Sequence, residues 1–509
     1  MPIRKITVIG SGPGGSAFGA LMAHAGHHVT LLEKNGFAGG KCSSLPLKGC
    51  MVDTGVHMFG RGPLGPFGEI SRILGMGPRW SAATPSFTLS LGESSQSRRG
   101  YGGRRACACP NGHKLEMASS IAHPISILNF IKGHLKGWQK MGWTSTAARS
   151  LAALGPRELL GLARGFADRR YPLYEELQDI CVRDFFTSLS ASDDLLRTFH
   201  AQAMLTMVLP WSRASMGEFA YILGSTMQAS QLCYPRGGSV AIPSSFLRAL
   251  ERRGGHVRLA CEASRIEIEG GRVRGVTTAE GEFIPCDILV SSAGLKRTVK
   301  LAGREAFPPD YLAWADGLRE SEAFIALKFF LDRKISSMRT PCLLHMPGLS
   351  PHTMFDYLED GSVPGELFLF VTAPGKWDQS LVPAGGDLLI VGVPAPSDLD
   401  RLEQTESLLD LAEEMAAGIF PEIANATVGM ERVTTVGVSR LSGRTTGECI
   451  GIAQEVGQSV SSRPRSHTPV GGLFLVGADA GGRGIGTEMA ADSALRLYHR
   501  LKDGQSIHS

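Results

Sequence analysis

One short segment constrains this chain more than any other. Ile6-Thr-Val-Ile9 is an apolar, β-branched run of the kind that forms a buried parallel strand. Gly10-Ser-Gly-Pro-Gly-Gly15 follows at once, and the Ala-, Leu- and Met-rich stretch Ser16 to Ala25 then reads as a helix stopped by Gly26. His28-Val-Thr-Leu-Leu32 is a second strand with Glu33 at its tip. Strand, glycine turn, helix and strand together make one βαβ unit. In such a unit Gly10 permits the tight turn, Gly12 lets the backbone approach a pyrophosphate, and Gly15 lets helix and strand pack closely. The helix N-terminus offers free N–H groups and a positive dipole to phosphates. A carboxylate at Glu33 accepts hydrogen bonds from an adenosine ribose and disfavours a 2′-phosphate. A lone GxGxxG is a weak signal. Here it follows a strand, opens a helix and has its acid in place, so a dinucleotide site is expected on Gly10, Ser11, Gly12, Pro13, Gly14, Gly15, Glu33 and Lys34.

Further along come Asn35-Gly-Phe-Ala-Gly-Gly-Lys41 and Val52-Asp-Thr-Gly-Val-His57. With the opening turn, this pattern resembles the start of the phytoene-desaturase and amine-oxidase superfamily of FAD enzymes. The resemblance implies that Gly40 and Lys41 lie against the pyrophosphate and ribityl chain, and that Val56 and His57 lie near the flavin. Gly472-Leu-Phe-Leu-Val-Gly477, Ala478-Asp-Ala-Gly-Gly-Arg-Gly-Ile-Gly-Thr-Glu488 and a closing helix Met489 to Leu501 resemble the family's C-terminal flavin motif. There the last helix points its N-terminus at the flavin, and its dipole stabilises negative charge on the reduced ring. This implies contacts from Gly477, Asp479, Gly486, Thr487, Glu488 and Met489. The commoner relatives carry Gly-Asp adjacent, whereas Ala478 intervenes here.

A third block lies between these two. Pro235-Arg-Gly-Gly-Ser239 precedes an amphipathic helix, Ile242 to Arg252. Strand-like runs follow at Gly255–Ala260, Ala263–Ile268, Gly271–Val276 and Asp287–Gly294. By the same resemblance Ala263 meets the adenine and Ser292 the adenosine end. The expected fold is α/β: a Rossmann-type, glutathione-reductase-like FAD-binding domain with an inserted α+β substrate domain. The first comprises residues 1–75, 230–300 and 450–505, the second 76–229 and 301–449. The insert should be helical from about Ile125 to Gly224. Its sheet strands should lie at Ala323–Leu331, Glu366–Val371 and Asp387–Val393, with helices on one face.

Bulk composition limits the alternatives. The chain has 509 residues, 43% hydrophobic and 20% charged, which is ordinary for a globular protein with a large core. A net charge of +4 is too weak to point to nucleic acid or an acidic partner. The ten cysteines form no metal-type CxxC pair, so no metal is expected and the thiols read as reduced in an intracellular, cytoplasmic protein. No signal-peptide pattern precedes the first strand, and no apolar run is long enough to span a bilayer. With no second GxGxxG unit, no separate NAD(P)H domain is expected. Cys42 and Cys50 are spaced too widely for a redox disulfide of the disulfide-reductase kind.

Two segments invite other readings. Pro124 to Trp143 places Leu128, Ile131, Leu135 and Trp138 at helical spacing, with Lys132, Lys136 and Lys140 on another face. This fits a half-buried helix, the favoured reading, or peripheral contact with a lipid headgroup layer. Arg98, Arg99, Arg104 and Arg105 around Gly-Tyr-Gly-Gly fit a hairpin loop better than a nucleic-acid element.

The expected function is FAD-dependent oxidation or reduction of an apolar small molecule, making or saturating a carbon–carbon double bond. His57 and Glu488 are the candidates for proton transfer. Two rivals stand beside this reading. One is an O2-using amine oxidase, which would want a lysine near the flavin such as Lys328, although Ala326 is the better match on that strand. The other is a prenyl-protein carrier of the same fold without functional FAD, against which the complete phosphate turn and Glu33 argue. Oligomeric state is left open.

Overall fold

The computed structural model describes residues 3–55, 58–83, 86–91, 173–187, 193–229 and 232–502. Val56, His57, Cys107, Cys109, the arginine-rich stretch 98–105 and the segment 124–143 lie outside these described residues.

Five parallel strands form the first sheet, in the order Leu473–Leu475, Ile288–Ser291, Lys5–Ile9, His28–Leu32, His256–Arg258. The first strand therefore lies between a partner near in sequence and one hundreds of residues away. Ligands in open α/β sheets bind at the strand carboxyl ends where the order reverses in this way. The helix Pro13–His24 makes the crossover to His28–Leu32 and packs between the helices Ala241–Arg252 and Gly486–Lys502. It starts three residues earlier than its apolar pattern suggests, because proline is well suited to the first helical turn, where its missing N–H has no partner to lose. Gly12 is its N-cap, with no side-chain cap. The helix N–H groups thus open directly onto the glycine turn.

A six-stranded sheet carries most of the remaining core. Its order is Thr427–Val433, Ala323–Leu331, Asp387–Ala395, Leu369–Thr372, Cys342–Met346, Phe87–Leu91. Side chains alternate across it. Leu327 and Arg432 are paired in register and share one face. On that face Arg432 reaches Glu406, Asp410 and Glu413 of the helix Leu402–Ile419, which covers it. Phe324, Ala326 and Phe370 lie on the opposite face, since Ala326 and Phe370 both pair with Gly392. The helices Leu173–Glu176, Val182–Thr187, Asp193–Met207 and Met216–Ala229 form a separate helical layer with its own apolar cluster around Trp211 and Phe219. Arg213 ties this layer to the sheet and to the C-terminal third through Glu322 at 2.6 Å and Glu455 at 2.7 Å.

The eight cysteines among the described residues form no disulfide. Cys42 is fully buried, its Sγ donates to the Ser239 carbonyl at 3.4 Å, and burial pushes its thiol up. Among the described residues no helix is long and apolar enough to cross a membrane, and no cluster of His, Cys, Asp or Glu could hold a metal.

Candidate cofactor and substrate site

A cleft opens at the carboxyl end of the first strand and encloses about 1910 Å³, open solvent at its mouth included. Its wall gathers residues that are far apart in sequence: Gly10, Ser11, Gly12, Pro13 and Gly14 from the first turn, Glu33 and Lys34 from the second strand, then Gly40, Lys41, Ala263, Ser292, Gly477, Gly486 and Thr487.

The geometry of the turn suits a diphosphate. A side chain at Gly12 would meet no protein atom closer than 3.9 Å, so its lack of one leaves open space beside the helix N-terminus. Gly15 is different. A Cβ there would lie 2.0 Å from the Gly10 carbonyl oxygen, which is why helix and strand approach only over glycine. Gly15 packs and does not line the cleft.

Behind the cleft runs a buried chain of charges. Lys41 Nζ donates to Glu448 Oε2 at 2.5 Å and to the Glu448 carbonyl at 2.6 Å. Arg444 pairs with Glu448 at 3.0 Å and with both Asp479 oxygens at 2.8 and 3.0 Å. Asp479 also accepts from the backbone N–H of Leu295 and of Ile452. Burial alone would push the Asp479 carboxyl up, but Arg444 and these N–H donors hold it below the ordinary carboxylate range. The Gly-Gly-Lys turn and the C-terminal motif are joined through this chain. Lys34 Nζ donates to the Arg440 carbonyl at 2.9 Å and Asn35 Nδ2 to that of Leu441 at 3.3 Å, so the helix Thr435–Ser442 is held over the cleft beside Glu33.

Besides Gly15, three sequence assignments need correction. Asp479 does not line the cleft. Its neighbour Ala478 does, and the Asp479 carboxylate is engaged by Arg444, two residues of one ion network. Glu488 also turns away. Its Oε1 accepts from the Arg61 backbone N–H and its Oε2 from Arg61 Nε, both at 2.9 Å, and its side chain is 3% exposed. A carboxylate so held is an anchor for the start of the helix Gly486–Lys502 rather than a free proton acceptor. Met489 is fully buried in the core and does not line the cleft. Val56 and His57 fall outside the described residues.

Several cleft residues carry no sequence motif: Val438, Leu441 and Ser442 come from the helix Thr435–Ser442, and Gly443, Arg444, Cys449 and Ile450 from the segment after it. Phe324 and Phe370 line the cleft from two expected strands, but neither was singled out in the sequence. Lys328 is on the same sheet face but does not line the cleft. Its Nζ pairs with Glu431 at 3.2 Å.

The family model for flavin-containing amine oxidoreductases matches residues 19–497. A zeta-carotene-forming phytoene desaturase from Myxococcus xanthus is 27% identical, across 98% of this chain and 94% of that protein. An all-trans-retinol 13,14-reductase from Macaca fascicularis is 23% identical, across 98% and 87%. The solved structure of an oxidoreductase from Methanosarcina mazei superposes with a TM-score of 0.68 at 18% identity, covering 97% of this chain and all of that one, which shows a common fold. The glycine turn, the Glu33 tip and the closing C-terminal loop meet in one cleft that fits FAD, and the chain belongs to the flavin-containing amine oxidoreductase family as an FAD-dependent oxidoreductase.

Proposed function

We propose that this enzyme desaturates, or in reverse saturates, carbon–carbon bonds of an isoprenoid hydrocarbon. One observation carries the reading. Every residue that the helical layer and the six-stranded sheet contribute to the cleft is apolar: Leu205, Val208, Phe324 and Phe370. Met58 and Ile485 extend this lining. A polar substrate group buried against such a wall without a partner would cost about 1–3 kcal/mol, while a hydrocarbon gains from each apolar surface it covers. The names of the curated relatives, desaturase and reductase, support both directions.

When bound, the flavin supplies a two-electron acceptor or donor. The residues of the chain do the rest. Gly10 to Gly14, Glu33 and Lys34 take the adenosine diphosphate half, with Ala263 and Ser292 beside the adenosine. Gly40, Lys41, Gly477, Gly486 and Thr487 take the ribityl and ring half. The aromatic pair Phe324 and Phe370 orients the hydrocarbon and excludes water. On this reading residues 1–75, 230–300 and 450–505 hold the cofactor, and 76–229 and 301–449 the substrate. A lipid-soluble substrate also fits peripheral contact with a membrane surface, testable by flotation with liposomes. The amine-oxidase alternative wants a lysine on the sheet facing the cleft, but Lys328 pairs with Glu431 and does not line it, and the wall lysines Lys34 and Lys41 are engaged by the Arg440 carbonyl and Glu448.

The test is anaerobic mixing of the oxidised protein with phytoene, retinoids, prenyl lipids and amines. Bleaching of the flavin band by a polyene supports the reading, and bleaching by amines alone overturns it.

A further inference from the structure

Twelve buried side-chain nitrogen or oxygen atoms have no hydrogen-bond partner among the described residues, and six of them collect in one seam. They are Arg61 Nη2, Tyr221 Oη, Gln454 Oε1, Ser459 Oγ, and Nε and Nη1 of Arg463. The five residues are between 1% and 6% exposed. Gln454 Nε2 donates to Glu218 Oε2 and to the Gly484 carbonyl, both at 3.3 Å. Glu218 Oε1 accepts from the N–H of Val460, next to Ser459, at 3.0 Å. Tyr221 lies one helical turn beyond Glu218. Arg463 Nη2 donates to the carbonyls of Ile452 and Ala478. A Cβ built on Gly484 would come within 3.0 Å of Arg61 Nη2. Gln454 and Arg61 thus meet at Gly484, Arg463 reaches Ala478, and Glu218 links Gln454 to the backbone beside Ser459.

The seam has two ends. Ser461 and Ser462, just past Ser459, are exposed at the surface. At the other end Ala478, Ile485, Gly486 and Thr487 line the cleft, and the seam meets this wall through Gln454 on the Gly484 carbonyl and Arg463 on the Ala478 carbonyl. Each orphaned buried group costs about 1–3 kcal/mol. Six of them together would rival the roughly 5–15 kcal/mol that stabilises a folded domain. Buried water, each molecule making about three hydrogen bonds, removes that cost.

We propose that this seam is an internal hydrated channel that conducts a proton between solvent near Ser459 and the cleft at Thr487. The inference rests on the carbon–carbon oxidation reading for its purpose. Forming a C=C bond breaks two C–H bonds. One hydrogen leaves with the electron pair to the cofactor, and the other leaves as a proton that the apolar wall cannot accept. The first water at Thr487 accepts it, and waters held by Gln454 Oε1, Glu218 and Ser459 Oγ pass it outward from one to the next. Saturation runs the same route inward.

The experiment uses no organic substrate, so its outcome is independent of the polyene test. The holoprotein is photoreduced without oxygen, then mixed with ferricyanide, which takes electrons and no proton, while a pH indicator follows proton release in a stopped-flow instrument. In the wild type, release keeps pace with the return of yellow colour. In Gln454→Leu, release lags the colour by about tenfold or more, a modest share of what proton-transfer groups contribute, and the lag widens in D2O. Ser459→Ala, at the outer end, gives a smaller lag and serves if the Gln454 variant does not fold. Release that stays in step with colour in the folded variants overturns the channel, as does a crystal structure with no ordered water against Arg463 Nε and Nη1.

Discussion

Glu33 Oε2 accepts hydrogen bonds from both the backbone N–H of Ser11, at 2.9 Å, and the Ser11 hydroxyl, at 2.6 Å. The Ser11 hydroxyl in turn accepts from the Gly39 N–H at 2.9 Å, and Glu33 Oε1 from the Asn35 N–H at 2.9 Å. The acid at the tip of the second strand is thus oriented by the two glycine turns that flank the diphosphate site. A hydrogen bond to a charged group is worth about 1.5–3 kcal/mol. Glu33→Ala should therefore weaken FAD binding by about tenfold to a hundredfold. Titration of the apoprotein, followed by flavin fluorescence, measures this, and an unchanged affinity removes Glu33 from the ribose.

Two glycines of one motif should fail in different ways. Gly15→Ala drives a methyl against the Gly10 carbonyl oxygen, an overpacking expected to cost about 1–3 kcal/mol. It should lower the melting temperature of the apoprotein. Gly12→Ala has room within the protein, so the apoprotein should melt near the wild-type temperature while the purified protein loses its flavin. The ratio of flavin to protein absorbance, set beside thermal melts of both apoproteins, separates the two.

The Arg61–Glu488 pair is buried on both sides, at 5% and 3% side-chain exposure. Removing one member leaves an uncompensated buried charge, at a cost of about 3–5 kcal/mol. Arg61→Met should show this loss in urea unfolding, and the double variant Arg61→Met with Glu488→Met should recover much of it. Glu488→Gln should lose stability without changing the shape of the pH profile of flavin bleaching. A shifted profile would return Glu488 to the role of proton carrier.

His200 provides a pH signature. Its ring stacks on Trp211 at 4.7 Å, its Nδ1 lies 2.8 Å from the Pro351 carbonyl, and burial lowers its pKa from 6.5 to about 3. The folded protein keeps the ring neutral, while the unfolded chain takes up a proton below pH 6.5. Stability is then complete above that value and declines as the pH falls toward 3. At pH 5 the loss from this one residue is on the order of 2 kcal/mol. Urea unfolding at pH 7.5 and 5 should show a smaller decline for His200→Phe than for the wild type.

The parts of the fold governed by local chemistry were legible in the sequence. The strand His28–Leu32 and the strand Ala323–Leu331 begin and end where their apolar runs do. The helix ahead of Ser16 was missed because a proline beside three glycines reads as loop, although proline is at home at a helix start. The C-terminal helix begins at Gly486 rather than Met489, hidden for the same reason by glycines. The contacts of Asp479 and Glu488 were not legible. Their partners Arg444 and Arg61 belong to segments with no pattern of their own, and only the tertiary fold brings opposite charges together in low dielectric. The apolar wall was half visible. Alternation puts Phe324 and Phe370 each on one face of its own strand, but the register that sets them on a common face, and where the helix Leu402–Ile419 settles, come from the tertiary fold.

The parallel sheet sets a timetable. Its central strand is made early, yet the neighbour Leu473–Leu475 and the glycines that cap the cleft emerge from the ribosome hundreds of residues later. A nascent chain holds only half a cradle. Capture of the coenzyme is therefore an event of the finished polypeptide, and chains starved of flavin should accumulate with their C-terminal segment loosely docked and open to proteases.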